Sequence, residues 1–354
     1  MICVNARFLT QPITGIQRFS IELCSQLVSI RNDLVFLVPS ISSILDQSLL
    51  EKFNIVEIVG GSGHFWEQLT LPSYLKKNGS PLLINLGNTA PVFYKNKIFT
   101  HHDITYIKYP ESYTFIFRNL YKIMTALNFK NSLSFITVSE FSKREISEFY
   151  KVDIGNIHVL YNGVSPEFKV NNSLNSTRYT PFALAVSSPN YHKNFSALID
   201  AFNKINNPIE LKIIGSSSSV FKNSKNHQVN PKINFLGRVS DGELVELYQN
   251  AEFFVFPSLY EGFGIPPLEA QACGCPVISS NAASLPEVLQ DSAYYFNPDD
   301  INSIKDAILE VLNNSSLRKT LKNQGLNNVE RFSWHSSASK LNSLLNDFAE
   351  KLYD

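Results

Sequence analysis

Cysteine is scarce, with four residues in a chain of 354, at positions 3, 24, 273 and 275. Cys273 and Cys275 form C-x-C at the end of an expected helix and not a C-x-x-C ligand pair, so all four are expected as buried free thiols. An excess of charge is also lacking, because 31 basic residues balance 31 acidic ones. That balance argues against a nucleic-acid binder relying on a general basic field. No uninterrupted apolar run approaches the roughly 20 residues needed to span a bilayer. The opening Met1-Ile2-Cys3-Val4-Asn5 runs directly into a short strand, without a basic stretch and a long apolar core. No signal peptide is therefore expected, the setting is expected to be cytoplasmic, and N-x-S/T sites such as Asn194-Phe195-Ser196 are expected to be incidental.

What remains is the composition of a soluble globular protein, 44% apolar and 18% charged. The length suits two domains of roughly 150–200 residues. Short β-branched or aromatic runs recur between helical patterns. In the first half they are Leu34–Val38, Ile55–Val59, Leu82–Leu86, Lys97–His101, Ser134–Val138 and Ile157–Tyr161. In the second half they are Phe182–Val186, Ile209–Ile214, Lys232–Leu236, Glu252–Phe256 and Pro276–Ser279. Strands alternating with helices predict an α/β protein with parallel sheets covered on both faces, whose crevices open at the carboxyl ends of the strands. The seam falls where Asn162-Gly163-Val164-Ser165-Pro166 makes a turn and a polar stretch to Thr180 follows. The expected division is residues 1–165, a linker at 166–180, residues 181–335, and a terminal amphipathic helix within 336–354. A second polar stretch, Ser216–Ser219 with Asn223–Asn230, reads as a loop within the second domain.

The segment Glu261-Gly262-Phe263-Gly264-Ile265-Pro266-Pro267-Leu268-Glu269 follows the apolar Phe253–Phe256 run. Its prolines mark a helix start, because proline's fixed φ and missing N–H are tolerated in a first helical turn. Strand, glycine-rich turn and helix then place one carboxylate in the turn and another in the first helical turn. Freed amides at the helix start favour an anion. Four further segments follow strands: Thr14-Gly15-Ile16-Gln17-Arg18-Phe19, Thr100-His101-His102-Asp103-Ile104-Thr105, Val138-Ser139-Glu140-Phe141-Ser142-Lys143, and Ser187-Ser188-Pro189-Asn190-Tyr191-His192-Lys193-Asn194. Residues 106–130 interleave aromatics (Tyr106, Tyr109, Tyr113, Phe117, Tyr121) with Lys108, Arg118, Lys122 and Lys130. Two readings of that stretch stand: a surface for a membrane or lipid-linked ligand, and a helix pair whose aromatics fill a core.

In order along the chain, these segments resemble retaining glycosyltransferases of family 4 (group 1), including bacterial mannosyltransferases of O-antigen and capsule synthesis. Glu261 and Glu269 match the E-x7-E signature. Thr14–Phe19 resembles T-G-I-G-R-Y, with Gln17 in place of the second glycine, and Phe65-Trp66-Glu67-Gln68 resembles L-W-E-Q. The His102 segment resembles V-H-D-L-T, and Val138–Lys143 resembles V-S-E-F-S-R. The Lys193 loop resembles G-T-x-x-P-R-K-N, with His192 in place of the arginine. The resemblance implies the GT-B fold: two Rossmann-like domains with parallel sheets facing across a cleft and a C-terminal helix crossing back onto the first.

The same resemblance implies roles. His102, Lys193 and Glu261 are the expected catalytic residues. Gly15, Lys193, Arg238, Glu261, Phe263, Gly264, Ile265 and Glu269 are expected to bind the donor, with Glu269 on the ribose and the amides of residues 263–265 on phosphate or sugar oxygens. Asp103 and Trp66 are expected on the acceptor side. Lys193 would neutralise the departing nucleoside diphosphate. No D-x-D sequence occurs, so no metal or other cofactor is expected. The implied reaction moves a hexose, mannose from GDP-mannose as the favoured donor, to a hydroxyl of a lipid-linked surface-polysaccharide acceptor with retention of configuration. Expected partners are the nucleotide sugar, the lipid-linked glycan and the inner face of the cytoplasmic membrane as a peripheral contact, with no nucleic acid. Two alternatives stay open: a glycoside hydrolase using the paired carboxylates, and a non-catalytic subunit that binds sugar nucleotides.

Overall fold

A computed structural model describes residues 1–171, 180–186, 188, 190–206, 209–215 and 230–353. Most of the expected linker, the polar loop at 216–229 and the loop positions Ser187 and Pro189 lie outside the described residues. The chain divides into two units. The first comprises Met1–Lys108, Tyr113–Asn162 and Ser333–Asp354, and the second Tyr109–Ser112 and Gly163–Phe332.

Seven strands form the first sheet: β1 (Ile2–Asn5), β2 (Leu34–Val38), β3 (Ile55–Glu57), β4 (Leu83–Asn85), β5 (Lys97–Thr100), β6 (Ser134–Thr137) and β7 (Ile157–Val159). Their order is β3-β2-β1-β4-β5-β6-β7, and every pairing is parallel. Six strands form the second sheet: β8 (Phe182–Val186), β9 (Glu210–Ile214), β10 (Ile233–Gly237), β11 (Phe253–Phe256), β12 (Val277–Ser280) and β13 (Ala293–Phe296). Their order is β10-β9-β8-β11-β12-β13, again all parallel. The central strands are buried along their whole length, as Phe253-Phe254-Val255-Phe256 illustrates. That is why they read as continuous apolar runs and not as alternating ones.

Both sheets reverse direction of growth once. In the first sheet the reversal lies between β1 and β4, and in the second between β8 and β11. At such a switch point the connections leave to opposite faces, which opens a crevice beyond the carboxyl ends of the two strands. The loops after β1, β4, β8 and β11 therefore border these crevices.

The terminal helix Trp334–Tyr353 belongs to the first unit. Trp334 meets Phe19 edge-on at 5.9 Å. Ser337 Oγ donates to the Tyr161 carbonyl at 2.7 Å, and Arg31 Nη1 donates to Asn342 Oδ1 at 2.9 Å. All four cysteines are buried and free.

Candidate active site

In the second unit the loop after β8 makes a short 3-10 turn, Tyr191–Lys193, and then enters the helix Phe195–Asn203. Asn194 takes the left-handed conformation between them, with φ 57°, which asparagine tolerates better than most residues. Its Nδ2 donates to the Pro298 carbonyl at 2.8 Å and so fixes the turn. The turn carries Lys193 to the loop that follows β11. There Lys193 Nζ donates to Glu261 Oε1 at 2.7 Å and lies 6.0 Å from the centre of the Phe256 ring. Both side chains are only partly buried, at 21% and 13% exposure, so each is open to exchange its partner for a ligand.

Ser284 shapes the Glu261 loop. Its Oγ lies 2.9 Å from the Glu261 carbonyl and 3.0 Å from the Phe263 carbonyl, one hydroxyl proton shared between two acceptors. Gly264 follows with φ 99°, and a Cβ there would lie 2.7 Å from Leu285 Cδ2. Only glycine satisfies both the dihedral and the approach. The helix Ile265–Ala272 then begins, and Pro266 and Pro267 bring no N–H to its first turn. The helix-start residues that carry an N–H outside the helical ladder are Gly264 and Ile265. The Phe263 ring is buried edge-on against Phe332 at 5.5 Å.

Three expectations are corrected in detail. Glu269 is the fifth residue of its helix, in the second turn, and is buried at 6% exposure. The expectation of a first-turn carboxylate overlooked that both prolines fall after the helix has begun. His192, where the resembled family has a loop arginine, is buried instead, with Nδ1 2.9 Å from Ser112 Oγ, and its carbonyl accepts from Leu259 N at 2.7 Å. Trp66 is wholly buried, its Nε1 donates to the Ile58 carbonyl at 2.8 Å, and it packs among Leu37, Leu71, Leu75 and Leu83. A ring so enclosed offers no face to an acceptor. Arg238 stands exposed just beyond β10, after Gly237 with φ 74°.

In the first unit the loops after β4 and β5 meet around His102. Its ring Nε2 lies 2.9 Å from the Leu86 carbonyl, which can only accept, so Nε2 carries the proton and Nδ1 is an acceptor when the ring is neutral. Phe19 closes over it edge-on at 4.9 Å. Burial holds the ring's pKa below the usual histidine value, although the Leu86 bond and the Asp103 charge oppose the shift. Asp103 Oδ1 is occupied by Thr105, at 2.8 Å from its N and 2.6 Å from its Oγ1. Asn88, which sequence reasoning passed over, accepts from His102 N at 2.9 Å. Its signal was the Gly87-Asn88 pair directly after a strand, a turn signature. Gly15 is the exposed first residue of the helix Gly15–Ile30. Gln17, standing where the resembled family has glycine, completes a capping box with Thr14 and receives the Thr14 N–H at 3.2 Å.

His101 is a different case from its neighbour. It is fully buried, meets the Tyr106 hydroxyl at 3.2 Å, and its Nδ1 has no partner among the described residues. Burial, with a smaller contribution from His102, pushes its pKa down to about 3. The unfolded chain takes up a proton near pH 6.5 and the folded ring does not, so stability falls as pH drops below 6.5. At about 1.4 kcal/mol per pH unit, the loss at pH 5 is roughly 2 kcal/mol. Urea midpoints at pH 7 and pH 5 check this: His101→Phe should flatten the dependence, and an unchanged dependence would contradict the assignment.

Comparison with known proteins adds the family. Residues 13–168 match Glycosyltransferase Family 4, and residues 168–328 match Glycosyl transferases group 1. The O-antigen chain mannosyltransferase RfbU of Salmonella typhimurium is 32% identical over 254 residues, 70% of this chain and 69% of that protein. The chain belongs to glycosyltransferase family 4. The O-antigen chain mannosyltransferase B of Escherichia coli is 26% identical to the transferase across 376 residues, 93% of this chain and 95% of that one. The crystal structure of Anabaena Alr3699/HepE in complex with UDP-glucose superposes on the transferase with a TM-score of 0.76 at 15% identity, covering 98% and 99% of the two chains. The fold is thus GT-B, built from two parallel-sheet Rossmann-like domains. Among the described residues of the transferase, no three His, Cys, Asp or Glu side chains are grouped to hold a metal ion. No described helix is long and apolar enough to cross a membrane.

Proposed function

We propose that this glycosyltransferase moves a hexose from a nucleotide diphosphate sugar to a hydroxyl of a lipid-linked surface polysaccharide, with retention of configuration and with GDP-mannose as donor. The observation that carries the reading is the Lys193–Glu261 pair at 2.7 Å, set at the switch point of the second sheet beside the start of the helix Ile265–Ala272. An ammonium and helix-start amides are what a departing diphosphate requires, and a carboxylate next to them accepts from sugar hydroxyls. Lys193 transfers its bond from Glu261 to phosphate as the donor enters, which frees Glu261 for the sugar. Arg238 meets the base or a phosphate, Glu269 meets the ribose, and Gly15 lets the first loop approach the donor. His102, neutral at pH 7, offers Nδ1 to a sugar hydroxyl. Asp103 keeps its Oδ2 for the acceptor side. The mannose donor and the polysaccharide acceptor are supported by the two O-antigen mannosyltransferase relatives, and nucleotide-sugar binding by the UDP-glucose complex of the Anabaena protein.

One surface favours an acceptor carried on a lipid. Residues 106–130 combine both of the readings they allowed: Tyr106 and Phe129 are buried around His101, whereas the helix Phe115–Lys130 turns others outward. Phe115, Ile116, Leu120 and Ile123 are between 53% and 79% exposed, and Ile116, Leu120 and Ile123 share one helical face. Arg118 lies over the Phe115 ring at 5.4 Å, and Lys122 is exposed on the same helix. An apolar face with cations on the opposite side is the pattern of a helix lying in the interface of an anionic bilayer. It fits peripheral attachment to the inner face of the cytoplasmic membrane.

A thermal-shift panel of nucleotide sugars, followed by mass spectrometry of transfer to lipid-linked acceptors, tests the reading. GDP-mannose should raise the melting temperature and add one hexose to the acceptor, and the protein should sediment with anionic vesicles through residues 115–123. Release of free sugar from glycans without nucleotide would favour the hydrolase. Binding without transfer across a broad acceptor panel would favour the non-catalytic subunit.

A further inference from the structure

The switch point of the first sheet, between β1 and β4, holds a second polar cavity, of about 150 Å³. Asn5 ends β1 and Arg7 follows it, while Gly87, Asn88 and Thr89 come from the loop after β4, so the ends of both diverging strands line it. Glu67 enters from the turn Trp66–Thr70 and is buried at 1% exposure. Its partners come from distant parts of the chain. Asn5 Nδ2 donates to Oε1 at 2.8 Å and to Asn85 Oδ1 at 2.9 Å. Arg7 Nε lies 3.4 Å from Oε1, and Nη2 lies 3.5 Å from Oε2 and 3.0 Å from Thr89 Oγ1. His64 Nδ1 is 3.4 Å from Oε2.

These contacts leave bonding capacity unused. A guanidinium and a carboxylate bonded to saturation sit about 2.7–2.9 Å apart, and here every Arg7–Glu67 approach is 3.4 Å or longer. Burying such a pair costs desolvation that well-packed apolar side chains would avoid, so it is weak as a device for stability. Burial alone would raise the Glu67 pKa, yet the bond from His64, the charge of Arg7 and the bonds from Thr89 and Asn5 outweigh it and keep the carboxyl ionised, an acceptor for two or more donors. The charges bear on the class of ligand. Arg7 is matched by Glu67; Asn5, Gln11, Gln17, Asn88 and Thr89 are neutral amides and a hydroxyl; and His64, half exposed, has its Nδ1 turned to Glu67. A phosphate or carboxylate would meet Glu67 beside an Arg7 that is already paired, whereas a polyol would find paired donors and acceptors, with the aromatic ring of Tyr121 in the wall. Asn88 also holds the backbone of His102, so the cavity shares its loop with the histidine site.

From these observations we infer that the Arg7–Glu67 cavity binds one neutral sugar residue of the acceptor, whose hydroxyls donate to Glu67 and accept from Arg7. The inference rests on the transferase reading and names the acceptor subsite that reading requires. Ligand-detected NMR on the full chain tests it, with methyl α-mannoside and the corresponding methyl uronate as probes. The wild type should bind the neutral glycoside in preference to the uronate. Glu67→Gln should weaken that binding at least about tenfold and His64→Ala about threefold, while the thermal shift with GDP-mannose is unchanged in both. His64 is half exposed, so its variant reports even if Glu67→Gln does not fold. Preference for the uronate, no glycoside binding, or unaltered binding in the folded variants would overturn the subsite. Glycoside binding lost with Glu67 in a protein that neither binds nor transfers from any nucleotide sugar would overturn the transferase reading and leave the subsite intact.

Discussion

Lys193→Ala should lower kcat about 10²–10³-fold with a verified donor and acceptor, the range seen when one electrostatic partner of a developing charge is removed. In the proposed reaction the leaving diphosphate gains negative charge as the glycosidic bond breaks, and Lys193, at the end of the Tyr191–Lys193 turn, would meet it. The effect should be on turnover and not on folding. The Lys193–Glu261 pair is partly exposed, so water can reach Glu261 when the ammonium is removed. Glu261→Gln should lose activity as well, since the amide keeps the volume but loses the charge that orders sugar hydroxyls. Lys193→Arg should recover part of the loss, because the charge returns in a planar fork that fits the loop less well. Melting curves beside steady-state kinetics separate the two effects. Near-normal turnover in either Lys193→Ala or Glu261→Gln would remove both residues from the site.

Trp66→Ala should destabilise the protein by about 3–5 kcal/mol, the usual cost of emptying a large aromatic from a core. Trp66 is wholly buried, wedged among Leu71, Leu75 and Leu83 where the π-helical turn Trp66–Thr70 meets the helix Leu71–Lys77. Trp66→Phe should cost less, because it keeps most of the volume and leaves only the Ile58 carbonyl without its donor. Urea midpoints measure both. If the midpoints held and the acceptor KM rose instead, the ring would be a ligand platform after all. The contrast with Glu67 is instructive, since adjacent residues of one turn divide into a core anchor and a pocket carboxylate.

That contrast also marks what was legible in the sequence. The runs Leu34–Val38 and Phe182–Val186 become strands with the same bounds, because a parallel strand buried on both faces has an unbroken apolar signature. β13, Ala293–Phe296, escaped the reading: its two middle tyrosines are half-buried, and it takes its place by pairing along β12 at the sheet's edge. Glu261 and Lys193, read from loops next to strong strands, do come together in the structure, at 2.7 Å. The enclosure of His192 was not readable, since it depends on Ser112, 80 positions away. The cluster around Glu67 likewise forms only through Asn5, Arg7 and Thr89, and no local pattern encodes those meetings. Gln17 reads as the loss of a glycine, yet its side chain completes the capping box that starts the helix Gly15–Ile30.

The stereochemistry of transfer tests the central claim most directly. With GDP-mannose, whose mannose is α-linked, and a lipid-linked acceptor, proton NMR of the purified product should show an α-mannoside, formed by the wild type and strongly reduced with Lys193→Ala. A β-linked product, or transfer that Lys193→Ala leaves undiminished, would contradict the account.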